Sequence, residues 1–124
     1  MKIAIIGAGN LGLSIAKGLI TNNIITQLYL TKRNTESIAD WSEYKNTHIT
    51  TDNEEAISSS DIIILAVQPS QLDNVLESAS HLLNEKHVII STVTGYSISK
   101  MEAIVGTDKN IIRSMPNTAI SVGK

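Results

Sequence analysis

Three glycines near the start of the chain, Gly7, Gly9 and Gly12, stand in the pattern G-x-G-x-x-G, with Ala8, Asn10 and Leu11 between them. The apolar run Lys2–Ile6 precedes them, and a segment with helical spacing of apolar residues follows. In the order strand, glycines, helix, each glycine has a task. The first permits a tight turn, the second lets the backbone approach a diphosphate, and the third lets the helix pack closely on the strand. The start of that helix offers unpaired N–H groups and the positive end of its dipole to an anion. The expected chemistry is dinucleotide binding, with Gly7, Gly9, Asn10, Leu11 and Gly12 around the diphosphate.

A second cluster selects among dinucleotides. A carboxylate about 20 residues beyond the glycines normally binds the ribose hydroxyls of NAD. After Leu28-Tyr29-Leu30 this chain reads Thr31-Lys32-Arg33-Asn34, with no acid. Lys32, Arg33 and Asn34 suit a 2′-phosphate, which a carboxylate would repel. The plainer reading of Lys32 and Arg33 is a pair of solvated loop cations. The functional reading is NADP(H), with NAD(H) as the secondary cofactor.

Further candidates follow other strands, where doubly wound sheets bind ligands. Val67 and Pro69 of Ala66-Val67-Gln68-Pro69 suit an apolar wall, and Gln68 a ribose hydroxyl. In Ser91-Thr92-Val93-Thr94-Gly95, Gly95 admits the backbone near a nicotinamide, with Thr94 beside it. In Met115-Pro116-Asn117-Thr118, Asn117 suits the carboxamide. The three histidines, His48, His81 and His87, lack ligand partners at helical spacing, so no metal is expected. No Ser–His–Asp or paired-carboxylate arrangement supplies a catalytic residue.

These residues need a sheet to hold them. Continuous apolar runs predict strands buried on both faces at Lys2–Ile6, Leu28–Thr31, Ile62–Val67, Val88–Ser91 and Ile111–Arg113, with a weaker one near His48–Thr51. Leu11, Ile15, Leu19 and Ile20 give the first helix an apolar stripe. Asn34 or Thr35 caps a helix through Trp41 and Tyr44. Thr51-x-x-Glu54 and Asp52-x-x-Glu55 resemble capping boxes for a helix at Asn53–Ser58. Pro69 begins a helix to about Leu83, with Leu72, Val75, Leu76, Ala79, Leu82 and Leu83 on one side. Ser97 or Ser99 starts a last helix, which Gly106 stops. The fold class is α/β: a Rossmann-like, doubly wound, mostly parallel sheet with helices on both faces.

The chain has 124 residues, enough for one domain with a real core. A net charge of −2 with 42% apolar residues gives no nucleic-acid footprint. No apolar run nears the ~20 residues of a membrane span, and the N-terminal run is too short for a signal peptide. A cytoplasmic location is the default expectation. Cysteine is absent, which excludes disulfides and thiolate chemistry. The stretch Met115–Lys124 is apolar and turn-rich without a capped element, so the sequence reads as interrupted there.

Five segments together resemble the N-terminal half of pyrroline-5-carboxylate reductases. They are Ile6-Gly7-Ala8-Gly9-Asn10-Leu11-Gly12, Lys32-Arg33-Asn34, Asp61 through Pro69, Ile89 through Gly95, and Ile112-Arg113-Ser114-Met115-Pro116-Asn117-Thr118. Glycine fingerprints are widespread; the Arg-x-Met-Pro-Asn-Thr segment is more particular. The family usually has Lys at Gln68, two alanines at Val93 and Thr94, and Pro at Ala119. The resemblance implies an NADP-binding domain over residues 1–124. It also implies a separate helical domain that dimerises and completes the substrate pocket, so residues 1–124 alone are expected to be inactive. The implied reaction is hydride transfer to the C=N carbon of 1-pyrroline-5-carboxylate, giving proline, in a homo-oligomeric parent enzyme.

Two other readings stand beside it: the cofactor domain of a hydroxyacid or deazaflavin-dependent NADP reductase, and a non-catalytic module that senses redox state. In every dinucleotide reading, Arg33 is the discriminating residue. Arg33→Ala is expected to weaken NADPH about 10- to 150-fold, the loss of one charge-assisted bond, and NADH far less. Titration with both nucleotides checks this; equal losses would refute the assignment.

Overall fold

Isoleucine-rich runs with no polar alternation leave a strand no wet face, so both sides of the sheet must be covered. The computed structural model, which describes residues 1–22 and 27–114, meets that requirement at the central strands but not at Ile111–Arg113, which lies at an open edge and is largely exposed. In chain order come β1 (Lys2–Ile6), α1 (Asn10–Thr21), β2 (Gln27–Thr31), a 3₁₀ segment (Thr35–Glu43) and β3 (Thr47–Thr50). Then follow α2 (Asn53–Ser58), β4 (Ile62–Leu65), α3 (Pro69–Ala79), β5 (Val88–Ser91), α4 (Ile98–Val105) and β6 (Asn110–Arg113). The six strands form one sheet in the order β3-β2-β1-β4-β5-β6, and every pair is parallel. Chain order reverses between β1 and β4, which opens a crevice beyond their carboxyl ends.

Alternation along each strand divides the core. Ile3, Ile5, Leu28, Leu30 and Ile64 face α1 and the 3₁₀ segment, packing with Ile15, Ala16 and Ile38. Ala4, Ile6, Ile63, Leu65 and Ile89 face the other way, against Ile57, Leu72, Leu76, Met101 and Val105. In register, Thr50, Thr31, Ile6, Leu65, Ser91 and Arg113 lie in one row across the carboxyl edge of the sheet. On the α1 side, burial fades along the row Ile64, Ile90, Ile112: Ile64 is 6% exposed and Ile112 52%.

Local signals set most boundaries. Asp52 caps α2, its carboxylate accepting from the amides of Glu54 and Glu55 at 2.9 and 3.3 Å. Ser97 caps α4 through the amide of Lys100, and Gly106 follows its last turn. Asn34 caps the segment after β2 by accepting from the amide of Glu36 at 3.0 Å. That segment is 3₁₀ and kinked at Ile38 (φ −124°, ψ 17°), whose side chain is buried in the core.

Two boundaries depart from the periodic reading by two residues or more. β4 ends at Leu65, short of Val67, because the Leu65 carbonyl accepts from both the amide and the hydroxyl of Thr92, and the chain then turns into Pro69. α3 ends at Ala79, short of Leu83. The Leu82 amide bonds to the Ala79 carbonyl in a turn, and Leu83 reaches the core from outside the helix. Leu65→Ala is expected to cost about 2–5 kcal/mol in urea unfolding, the usual cost of emptying a buried aliphatic site. Ile112→Ala, on the open part of the α1 face, should stay within about 0.5 kcal/mol.

Candidate dinucleotide-binding site

The loop from β1 to α1 is held from two sides. Gly7 adopts φ +95°, which only glycine takes without strain. A Cβ there would lie 2.8 Å from Val67 Cγ1 and 3.0 Å from the Ala66 carbonyl carbon, so Val67 can close against the turn. From the other side Thr31 receives the loop. Its carbonyl accepts from the amides of Gly7 and Ala8 at 3.2 and 2.7 Å, and its hydroxyl accepts from Gly7 at 3.2 Å. Thr31 is 2% exposed, so these bonds are shielded from water.

Gly9 is the N-cap of α1, and a Cβ built on it meets nothing within 4 Å. The approach to the helix start is therefore open. A Cβ on Gly12 would lie 2.5 Å from the Gly7 carbonyl oxygen and 3.2 Å from Ile5 Cγ2, so α1 sits as close to the end of β1 as backbone allows. The first turn of α1 carries no acidic residue, and its leading amides keep their positive field. An open second glycine, a packed third one and an unneutralised helix start together fit a diphosphate.

A cleft of about 940 Å³ lies at this edge of the sheet, near the upper end of the ~300–1,000 Å³ common for ligand sites. Gly7 and Gly9 line its floor. Thr31, Lys32, Arg33 and Asn34 form one wall; Ala66, Val67 and Gln68 form another. Lys32 is half-buried and Arg33 exposed, and among the described residues neither is in an ion pair. Asn34 is also committed as a cap, so its side chain is oriented.

Farther along the same edge, the β5–α4 loop presents exposed Thr94 and Gly95, the latter at φ +78°. Its neighbours Val93 and Tyr96 are buried. The Tyr96 hydroxyl donates to Asp73 Oδ1 of α3, and Lys100 Nζ stands 4.5 Å from the centre of its ring. Burial, then the Asp73 carboxylate, push the Tyr96 phenol up to about 12, so it remains a donor throughout the neutral range.

Of the residues expected from sequence, Gly7, Gly9, Lys32, Arg33, Asn34, Ala66, Val67 and Gln68 come together around the cleft. Asn10, Leu11 and Gly12 form the first turn of α1 beside it. Leu11 turns its side chain to the core and offers only backbone. Pro69 is the first residue of α3, and Gln68 precedes it as N-cap, its amide donating to Gln71 Oε1 at 3.4 Å. Thr94 and Gly95 share the edge but do not line the cleft, and Asn117 lies outside the described residues. The cleft adds Thr31, Thr51, Asn53 and a polar face of α3: Gln71, Asn74 and Ser78. That face was readable as a polar stripe at i, i+3 and i+7 opposite the apolar one. Thr31 had no such signal, because its partners lie across the sheet.

The histidines stay out of the cleft. His48 bonds to Gln27, His81 stands 3.6 Å from Glu54, and the buried His87 accepts from the Asn84 amide through Nδ1. Among the described residues no group of acidic, histidine or cysteine side chains could hold a metal, and no helix is long and apolar enough to cross a membrane.

Known proteins share this fold. The model of a family described as NADP oxidoreductase coenzyme F420-dependent matches residues 2–95. Pyrroline-5-carboxylate reductase 1 of Dictyostelium discoideum is 42% identical over 120 residues, covering 95% of this chain and 22% of that protein. The structure of a pyrroline-5-carboxylate reductase from Coxiella burnetii superposes with a TM-score of 0.88 at 33% identity, over 94% of this chain and 44% of that one. The Plasmodium falciparum pyrroline carboxylate reductase, solved with NADP bound, gives 0.81 at 29% identity, over 95% and 43%. The chain thus spans less than half the length of each.

The glycines separate folding from binding. Gly12→Ala forces a methyl group into the Gly7 carbonyl and is expected to cost about 1–3 kcal/mol of stability. Gly9→Ala meets no atom, so its cost should stay below about 1 kcal/mol, the penalty for alanine at an N-cap. Its methyl group nevertheless occupies the approach to the helix start, so nucleotide affinity should fall at least 10-fold on the order of a lost hydrogen bond or two. Denaturation paired with calorimetric titration of both variants reads the two effects separately.

Proposed function

Since the chain belongs to the NADP oxidoreductase, coenzyme F420-dependent family, we propose that residues 1–124 hold NADP(H) for a pyrroline-5-carboxylate reductase. The observation that carries this reading is the cleft at the reversal point of the sheet: an open helix start at Gly9 next to the cations Lys32 and Arg33. The 42% identity to the Dictyostelium discoideum reductase supports the substrate class.

In this reading the amides of Asn10, Leu11 and Gly12 take the diphosphate, and Thr31 keeps the preceding turn in place. Lys32, Arg33 and Asn34 receive the 2′-phosphate. Val67, Gln68 and Pro69 flank the ribose, and Ala66 lets the backbone pass close to it. Thr94 and Gly95 bound the nicotinamide, and its carboxamide is assigned to Asn117. When bound, the reduced nicotinamide supplies a hydride. The residues of this chain orient its carrier and form one wall of the reaction space, a contribution of proximity that requires no nucleophile. Substrate closure and dimerisation belong to a helical domain outside residues 1–124. NAD(H) is the weaker alternative cofactor, and the cytoplasm the compartment.

The family description favours a second reading, in which the hydride partner is coenzyme F420. The Arg113-Ser114-Met115-Pro116-Asn117-Thr118 segment favours the pyrroline. Calorimetry of the chain should show NADPH binding displaced by adenosine 2′,5′-bisphosphate and unaffected by 5′-AMP. In protein continued into the helical domain, NADPH oxidation should require 1-pyrroline-5-carboxylate. Turnover with coenzyme F420 and none with the pyrroline would overturn the substrate assignment; no nucleotide binding would overturn the whole reading.

A further inference from the structure

Thr94 and Gly95 are exposed, and among the described residues neither makes a hydrogen bond of its own. Their position is set by what flanks them. Upstream, Thr92 donates its amide and hydroxyl to the Leu65 carbonyl at 3.0 and 2.7 Å, and Val93 donates to Ser91 Oγ at 3.2 Å. Downstream, the flank is Tyr96. Its ring fills the core beside α3 and α4, where a phenylalanine would pack equally well. A buried hydroxyl is costly unless it is bonded, and this one has a single outlet. It crosses to Asp73, four residues after Pro69 and so on the same side of α3, one turn along.

We propose that Tyr96 and Asp73 are a positioning pair that sets the separation between the two walls of the nicotinamide end of the site, the Thr94–Gly95 loop and the start of α3. The inference rests on the dinucleotide reading above. Neither residue touches the cofactor in it; both act through the loop that does. Lys100 holds the Tyr96 ring from its face, so the side chain is gripped at both its plane and its tip.

The test separates the two ends of the ligand. Tyr96→Phe keeps the buried ring, and Asp73→Ala alters an exposed helix position, so both variants should fold; thermal unfolding verifies this. Each chain is titrated with NADPH and with adenosine 2′,5′-bisphosphate, which has the adenosine end and no nicotinamide. Both variants should weaken NADPH about 5- to 20-fold, a loss of preorganisation worth part of one charge-assisted bond, and leave the bisphosphate within about 2-fold. Asp73→Asn, whose amide oxygen still accepts from the phenol, should restore NADPH affinity. A merely structural role would move both ligands together or neither. Unchanged NADPH affinity in Tyr96→Phe, or equal weakening of both ligands, overturns the inference alone. Failure of the unaltered chain to bind either ligand overturns the dinucleotide reading and this inference with it.

Discussion

The distance between α1 and the end of β1 constrains everything else at this edge of the sheet. No side chain larger than hydrogen fits at Gly12, because the Gly7 carbonyl already occupies the space. That approach brings the start of α1 directly over the crevice between β1 and β4, where the strand order reverses. A helix lifted by one methyl group would aim its amides elsewhere. The proposed phosphate site is therefore a by-product of packing. The glycine that lets the core close also aims the dipole.

Around that point the sheet acts as a ruler. Parallel register places Thr31, Ile6, Leu65 and Ser91 in one row, so the loops after four strands emerge side by side. The two loops nearest the reversal are tied to their neighbours by hydroxyls at strand ends: Thr31 to the glycine turn and Thr92 to the end of β4. Threonine suits such places because its methyl group and β-branching belong in a buried strand while its hydroxyl completes a backbone bond at the edge. Cations then follow at Lys32 and Arg33, on a wall whose geometry is already fixed.

Sequence patterns expose interactions that are short-range or periodic. The strands from Ile62 and Val88 were legible because β-branched residues ran without polar interruption. The α2 start was legible because Asp52 and Glu55 stand at capping distance in the chain. The glycine turn was legible because three tasks impose one spacing. Contacts between distant residues left no such mark. Thr31 meets Gly7 across 24 residues and Tyr96 meets Asp73 across 23, and nothing in either neighbourhood announces its partner. Periodicity also misled where it continued past its cause: Leu82 and Leu83 prolong the stripe of α3, yet Leu83 is buried from beyond the end of the helix. The polar stripe Gln71, Asn74 and Ser78 carried a readable signal, spaced along the face of α3 that lines the cleft.

Thr31 joins two tasks that are usually treated as separable. It ends the strand leading into Lys32-Arg33-Asn34, and its carbonyl and hydroxyl receive the amides of Gly7 and Ala8. Any rerouting of the backbone after β2 is transmitted through it to the glycine turn. If the proposed site is correct, exchanging one nucleotide preference for another has a narrow path here. Side chains at Lys32 and Arg33 can change without moving the glycine turn, whereas insertions or deletions beside Thr31 would disturb both ends of the proposed nucleotide site together.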